Sequence, residues 1–444
     1  MQENIPTDLA PAVPTLKEAF WYWLKLGLIS FGGPAGQIAI MHTDLVESKR
    51  WISEKRFLHA LNYCMILPGP EAQQLATYIG WLMHKTRGGL IAGGLFVLPS
   101  LLILMTLSYI YVRFGSTPAV AGVLYGIKPA VVAIVLFAAY RIGSRALKNK
   151  ALWTIAFASF LAITLLGLPF PMIVISAALI GYLGNRYAPK LFSGSGTHKG
   201  VDKHFGKAVI DDDTPTPIHA HFSWRGLVKF LLVGIMIWLL GIVLLITLYG
   251  WGAVYTQMAW FFTKAALLTF GGAYAVLPYV YQGAVTHYSW LSSTQMMDGL
   301  ALGETTPGPL IMVVAFVGFV GGWSHAAAYN PMVSAMLAAC IVTFFTFLPS
   351  FIFIFMGAPF IESTKNNLKL NAPLTAITAA VVGVIAALAL FFALQVFWPN
   401  HLYVDWLAML AAAFGFVALY QFKVSTMRLI GAFAIFGLLH AWFL

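Results

Sequence analysis

Two short motifs occur twice in the sequence, and both could hold an anion with backbone alone. Phe31-Gly32-Gly33 recurs as Phe270-Gly271-Gly272, and Pro68-Gly69-Pro70 as Pro307-Gly308-Pro309, each pair 239 positions apart. Glycine pairs remove side chains and loosen the backbone, and Pro34 suits the first turn of a new helix. The Pro-Gly-Pro triplets cannot continue a helix, because two N–H donors are missing and the rings clash with the preceding turn. A helix restarting after Gly33 or Gly69 turns unpaired N–H groups and the positive end of its dipole toward the break. The duplication supplies four such ends. The plainer reading is that the glycines permit close packing and the prolines only kink.

Charged and polar residues gather near these breaks. Lys25 and Lys264 stand at matching places, and a Lys at the centre of a bilayer costs about 2.5–3.5 kcal/mol on insertion scales. They either neutralise a bound anion or snorkel to the nearer interface. Glu71 follows the first Pro-Gly-Pro and Glu304 precedes the second; each could carry a proton or cap a half-helix N-terminus. Ser30, Gln37, Asn62, Gln73, Gln74, Thr269, Thr305 and Thr306 offer hydrogen bonds to oxyanion oxygens, or bond one helix to the next. Trp51 and Trp290 read as interfacial anchors. The substrate-binding set expected from sequence is Lys25, Ser30, Gly32, Gly33, Pro34, Gln37, Asn62, Gly69, Pro70, Gln73, Lys264, Thr269, Gly271, Gly272, Thr306 and Gly308, with Glu71 and Glu304 for proton coupling. No helical His-x-x-x-His or Asp-x-x-Asp pair, G-x-S-x-G or phosphate-cradling Gly loop occurs, so no metal, cofactor or enzyme chemistry is expected.

The elements that position these residues must lie in a membrane. Of 444 residues 60% are apolar, 15% aromatic and only 9% charged, against about 25% charged in soluble domains. That excludes a soluble enzyme or nucleic-acid binder, and the absence of short alternating strands excludes a membrane β-barrel. Apolar runs bounded by Gly, Pro and charge predict an all-α polytopic protein of about thirteen spans. They fall near 17–41, 57–83, 89–114, 118–139, 152–168, 170–185, 226–248, 257–281, 295–321, 331–358, 372–396, 404–421 and 427–444. The stretches 57–83 and 295–321 are broken and read either as crossings or as re-entrant hairpins. The N-terminus lacks a basic region before a short apolar core, so no cleavable signal is expected. Cys64 and Cys340 make neither a disulfide framework nor a metal cluster.

The net charge of +11 reports topology through the cytoplasmic preference of Lys and Arg. Placing the basic turns at Arg141–Lys150, 186–222, Lys365–Lys369 and Lys423–Arg428 in the cytoplasm puts the N-terminus inside and the C-terminus outside. It leaves Lys49, Arg50, Lys55 and Arg56 on the wrong side. Twelve of 46 positions between 25 and 70 match at the 239 offset, and beyond an insertion around 322–332 the offset becomes 250. The basic turn follows the last span of the first unit but precedes the matching span of the second. The reading is therefore two inverted repeats whose broken helices meet mid-membrane, the first with its following spans in 1–185, and the second in 223–444 together with a connecting span and the C-terminal spans. A cytoplasmic linker at 186–222 joins them, and its His198, His204, His219 and His221 sit among disorder-favouring residues rather than in a metal site.

The F-G-G-P-x-G-Q run at Phe31–Gln37, the W-[IL]-S step at Trp51 and Trp290, and the Pro-Gly-Pro triplets resemble the chromate ion transporter superfamily in its long-chain, two-domain form. The resemblance covers nearly the whole chain. It implies export of chromate from a prokaryotic cytoplasm across the inner membrane, conferring chromate resistance, with sulfate as a competing mimic. The second repeat departs from the first: Ala273 replaces Pro34, Val276 replaces Gln37, and Leu310 replaces Glu71. Transport of sulfate or another oxyanion, and an anion channel, stay open as alternatives. So does a homodimer, because Gly-rich faces serve internal packing and dimers equally well.

Overall fold

The computed structural model describes residues 11–31, 33–192, 205–215, 217–270, 272–325, 330–363, 371–399 and 404–443. Among these, the structure is helical throughout, with one isolated bridge between Ile52 and Ile210. The first half comprises α1 (Leu16–Ile29), α2 (Gly33–His42), α3 (Glu54–Cys64), α4 (Glu71–Phe114), α5 (Pro118–Ala146), α6 (Lys150–Thr164), α7 (Phe170–Tyr187) and the one-turn α8 (Pro189–Phe192). The second half comprises α9 (Trp224–Tyr249), α10 (Val254–Leu267), α11 (Ala273–Tyr281), α12 (Ser293–Thr305), α13 (Val313–Ser324), α14 (Pro331–Ser363), α15 (Asn371–Phe397), α16 (Trp406–Tyr420) and α17 (Thr426–Phe443). Among the described residues, five helices are long and apolar enough to cross a membrane: Glu71–Phe114, Pro118–Ala146, Trp224–Tyr249, Pro331–Ser363 and Ala372–Phe397. Shorter apolar helices lie at Lys150–Thr164, Leu310–Ser324, Trp406–Tyr420 and Thr426–Trp442.

The run 17–41, read from sequence as one crossing, folds back on itself. Were α1 and α2 continuous, Tyr22 and Trp51 would stand about 43 Å apart at 1.5 Å per residue. Their rings instead lie 5.1 Å apart, with the Lys49 ammonium 5.4 Å above Trp51 and 5.7 Å above Tyr22. The run 257–281 does the same, with Phe262 6.1 Å and Phe261 5.6 Å from the Trp290 ring. Trp51 and Trp290 are buried clamps at the open ends of these hairpins, rather than the interfacial anchors expected. Each clamp follows one wide turn of π-helix, Thr43–Ser48 and Gln282–His287, whose bulge swings the chain back toward the hairpin base.

The two broken stretches also reverse. Arg56 of α3 and Tyr78 of α4 both bond the Glu362 carboxylate, so the chain turns between them at Pro68–Pro70. Gly299 of α12 packs so closely on Phe316 of α13 that a Cβ there would fall 2.3 Å from the ring. Beyond its half-helix α4 breaks at His84 and Lys85, where φ is −132° and +56°, before running on as a long span.

Helix α14 measures where the hairpins enter. Glu362 at its C-terminal end holds Arg56 and Tyr78, while Ser334 near its start bonds Tyr255 at the beginning of α10. Those positions are about 42 Å apart along the helix. The hairpins α1–α2 and α3–α4 thus rise from one end of the bundle and α10–α11 from the other. Lys49–Arg56 sit against the linker: Val209 N–H donates to Arg50 O at 2.9 Å, and Arg56 donates to Thr214 O at 2.7 Å. The fold-back therefore returns these four basic residues to the linker side, which removes the conflict in the charge pattern.

Candidate functional site

The tips of the hairpins meet in the middle of the bundle and are joined by crossed backbone bonds. Gly69 N–H donates to Thr269 O at 2.7 Å, and Gly308 N–H donates to Ser30 O at 2.8 Å. The second bond has the same partners as the first, each displaced by 239 positions. Both glycines hold backbone that an L side chain resists, with φ of +130° at Gly69 and +103° at Gly308. A Cβ would fall 2.3 Å from Ser350 Oγ at Gly69 and 2.7 Å from Ser100 Cβ at Gly308. Gln37 adds a third tie, donating to Gly308 O at 2.5 Å and to Ser30 O at 3.2 Å.

Beside these tips lies a cavity of about 930 Å³, bounded by both halves. Gly33 and Pro34 bring the N-terminus of α2 to its wall, and Gly272 and Ala273 that of α11. Glu71, the first residue of α4, and Glu304, near the end of α12, add two carboxyl groups, with the Tyr274 hydroxyl donating to Glu304. One face of α5 forms a side wall through Ile134, Phe137, Ala138, Arg141, Ile142 and Arg145, and Lys148 follows at the helix end. The lining thus grades from half-helix ends and carboxyls among the tips to three cations at the end of α5 next to α8 and the linker. Cations at that end concentrate anions there. Free N–H groups farther in replace part of the hydration an anion must shed.

The structure gathers some of the expected residues and leaves others aside. Gly33, Pro34, Glu71, Gly272 and Glu304 line the cavity. Gly69, Pro70 and Gly308 sit at the tips, but the glycine N–H groups are spent on the other half's carbonyls and are not offered to a ligand. Ser30, Gln37, Gln73, Thr269 and Thr306 are buried behind the tips, where Thr269 and Thr306 bond their own helix carbonyls and Gln73 bonds Thr77. Asn62 is half-buried and does not line the cavity. Lys25 is exposed on α1, opposite the buried Tyr22, Trp23 and Leu26, and faces away from the cavity. Lys264 places its ammonium 5.7 Å above Trp260 and is not in the lining either. Gly32 and Gly271 lie outside the described residues.

The cavity is asymmetric between the two halves. Leu310, 239 positions after Glu71, is buried in apolar packing and contributes no group to the cavity. The second carboxyl comes from Glu304, whose counterpart in the first half is Met65, also in the wall. Arg141, Arg145, Lys148 and Tyr274 are site residues that sequence reasoning missed, having assigned the basic ones to topology. The signal was present in the spacing: 134, 137, 138, 141, 142 and 145 form one helical face that changes from apolar to cationic toward its end.

Comparison with known proteins supplies the family. The chain is 29% identical over 376 residues to the chromate transport protein of Cupriavidus metallidurans, covering 84% of this chain and 81% of that one. It is 31% identical over 393 residues to the chromate transport protein of Pseudomonas aeruginosa, covering 86% and 82%. A shorter relative, the uncharacterized transporter YwrA of Bacillus subtilis, is 31% identical over 168 residues, which is 37% of this chain and 94% of its own length. No solved structure matches. The family model described as Chromate transporter matches residues 17–182 and 256–438, two segments that begin 239 positions apart. With its long apolar helices, the chain is a multi-pass membrane protein and belongs to the chromate transporter family.

Proposed function

We propose that the protein is a secondary transporter that exports chromate from the cytoplasm across the inner membrane and so confers chromate resistance, with sulfate competing as a structural mimic. The observation that carries this reading is the cavity where the two halves meet, with two half-helix N-termini in its wall and Arg141, Arg145 and Lys148 at one end. A volume of about 930 Å³ holds a tetrahedral dianion with water to spare, so size alone does not separate chromate from sulfate.

The two halves are inverted repeats related by a pseudo-two-fold axis in the membrane plane, and alternating access is the rocking of one against the other about the hairpin tips. The linker side is cytoplasmic, as its basic residues favour. The N-terminus is then inside, and the C-terminus outside, because α17 packs its end, Gly437 and Ala441, against Gly122 at the start of α5. In this state the cavity faces the cytoplasm. A negative interior drives a dianion outward by about 2.3 kcal/mol per charge per 100 mV, and a proton carried inward on Glu71 or Glu304 adds to it.

The test is chromate uptake into everted membrane vesicles with an imposed potential or pH gradient, against competing sulfate. Saturable, gradient-driven uptake that falls at least tenfold in Arg141→Gln supports the reading. Absence of uptake by folded, inserted protein refutes chromate as the substrate.

A further inference from the structure

A second cavity of about 450 Å³ lies at the opposite end of the same two helices, lined by Tyr111, Gly115, Ser116, Lys128, Gln295 and Asp298 among others. Along α5, residues 121–128 border this cavity and 134–148 border the first. Along α12, Gln295 and Asp298 border it, and Glu304, about 9 Å farther along the helix, borders the first. Asp298 is 3% exposed. Its Oδ2 accepts from the Tyr111 hydroxyl at 2.9 Å, while Oδ1 has no hydrogen-bond partner and stands 4.0 Å from Lys128 Nζ. A buried carboxylate with one unsatisfied oxygen is costly, and a cation held just beyond hydrogen-bond distance repays it only in part.

Resting on the transport reading above, we infer that Lys128 is an outer oxyanion subsite, and that Asp298 is its tethered occupant, standing in for the substrate when none is present. Carboxylate and oxyanion compete for the same ammonium. An anion leaving the central cavity displaces Asp298 from Lys128, and return of the carboxylate ejects the anion outward and closes the site against anions from outside. No bond is made or broken in this exchange. The Tyr111 hydroxyl keeps Asp298 in place while its other oxygen swings free.

The test uses purified full-length protein with sulfate as the probe, read as the shift of thermal unfolding with sulfate concentration. In Asp298→Asn, the half-effect concentration should fall at least tenfold relative to wild type, and Asp298→Asn combined with Lys128→Met should lose that gain. Equal half-effect concentrations in wild type and Asp298→Asn would overturn the inference and leave a structural ion pair. Should Asp298→Asn not fold, everted vesicles decide. Sulfate loaded in the lumen, against the outer face, should slow chromate uptake by wild type but not by Lys128→Met, and equal slowing overturns the subsite. A wild type that moves no chromate would refute the transport reading, while the sulfate titration would still decide the subsite.

Discussion

Replacing Gln37 by Met keeps the length and most of the volume of the side chain but removes its donors. Gly308 O then loses the bond it accepts at 2.5 Å, and Ser30 O loses one at 3.2 Å while keeping the Gly308 N–H at 2.8 Å. One carbonyl is compensated and the other is orphaned in the interior, which costs about 1–3 kcal/mol. At about 2.1 cal/mol/K per residue for the unfolding entropy, 444 residues turn that into a fall in Tm of roughly 1–3 °C. Thermal unfolding in detergent, followed by loss of the monodisperse peak on size exclusion, resolves such a shift. Gln37→Glu is the control, because it has the same shape, offers no donor and sets a charge against two carbonyl oxygens. It must lose more than Gln37→Met. A Met variant within about 0.5 °C of wild type, or a Glu variant as stable as wild type, would refute the assignment of Gln37 as a tie between the halves.

Three further outcomes follow from the same geometry. Neutralising Arg141 and Arg145 together should cut initial uptake by about tenfold or more and flatten its dependence on ionic strength, whereas Lys25→Met, on the outward face of α1, should stay within twofold of wild type; initial rates across a salt series check both. Gly69→Ala and Gly308→Ala should each destabilise by about 1–3 kcal/mol from backbone strain, with the steric clash adding to it, as thermal unfolding will report. Burial holds the His219 pKa below its usual 6.5, while its ring meets the Trp81 carbonyl at 3.0 Å. A depressed pKa means that docking of the linker is favoured fully above pH about 6.5 and weakens as pH falls through the lower, folded value; limited proteolysis of the linker should quicken at acid pH in wild type and not in His219→Phe.

Much of the architecture was legible because recurring motifs leave a mark that composition does not. The 239 offset, read from twelve identities, located all four breaks and pointed to the residues whose backbones cross. The direction of the chain after each break was not legible. An apolar run such as 17–41 has the length of a crossing, and only the contact of Tyr22 with Trp51, far apart in sequence, shows that it reverses. The four misplaced basic residues at 49–56 were the trace of that reversal. Lys25, expected at the substrate, does not line the cavity: Lys17, Glu18 and Lys25 share one exposed face of α1, opposite the buried Ala19, Tyr22, Trp23 and Leu26, and that polar stripe marks the outward side. Arg141 and Arg145 read as topology because a basic turn and the wall of an anion-attracting cavity ask for the same charge.

The crossed tip bonds bear on how such a protein is put together. Gly69 N–H of the first half finds its partner in Thr269 of the second, Gly308 N–H of the second finds its partner in Ser30 of the first, and Gln37 reaches across to Gly308 as well. Neither half can complete its own tips. Cut at the linker, each would carry unmet backbone groups at its centre until it met the other, so two separately made halves should assemble with each other rather than function singly. Joining the halves through a linker makes that encounter intramolecular.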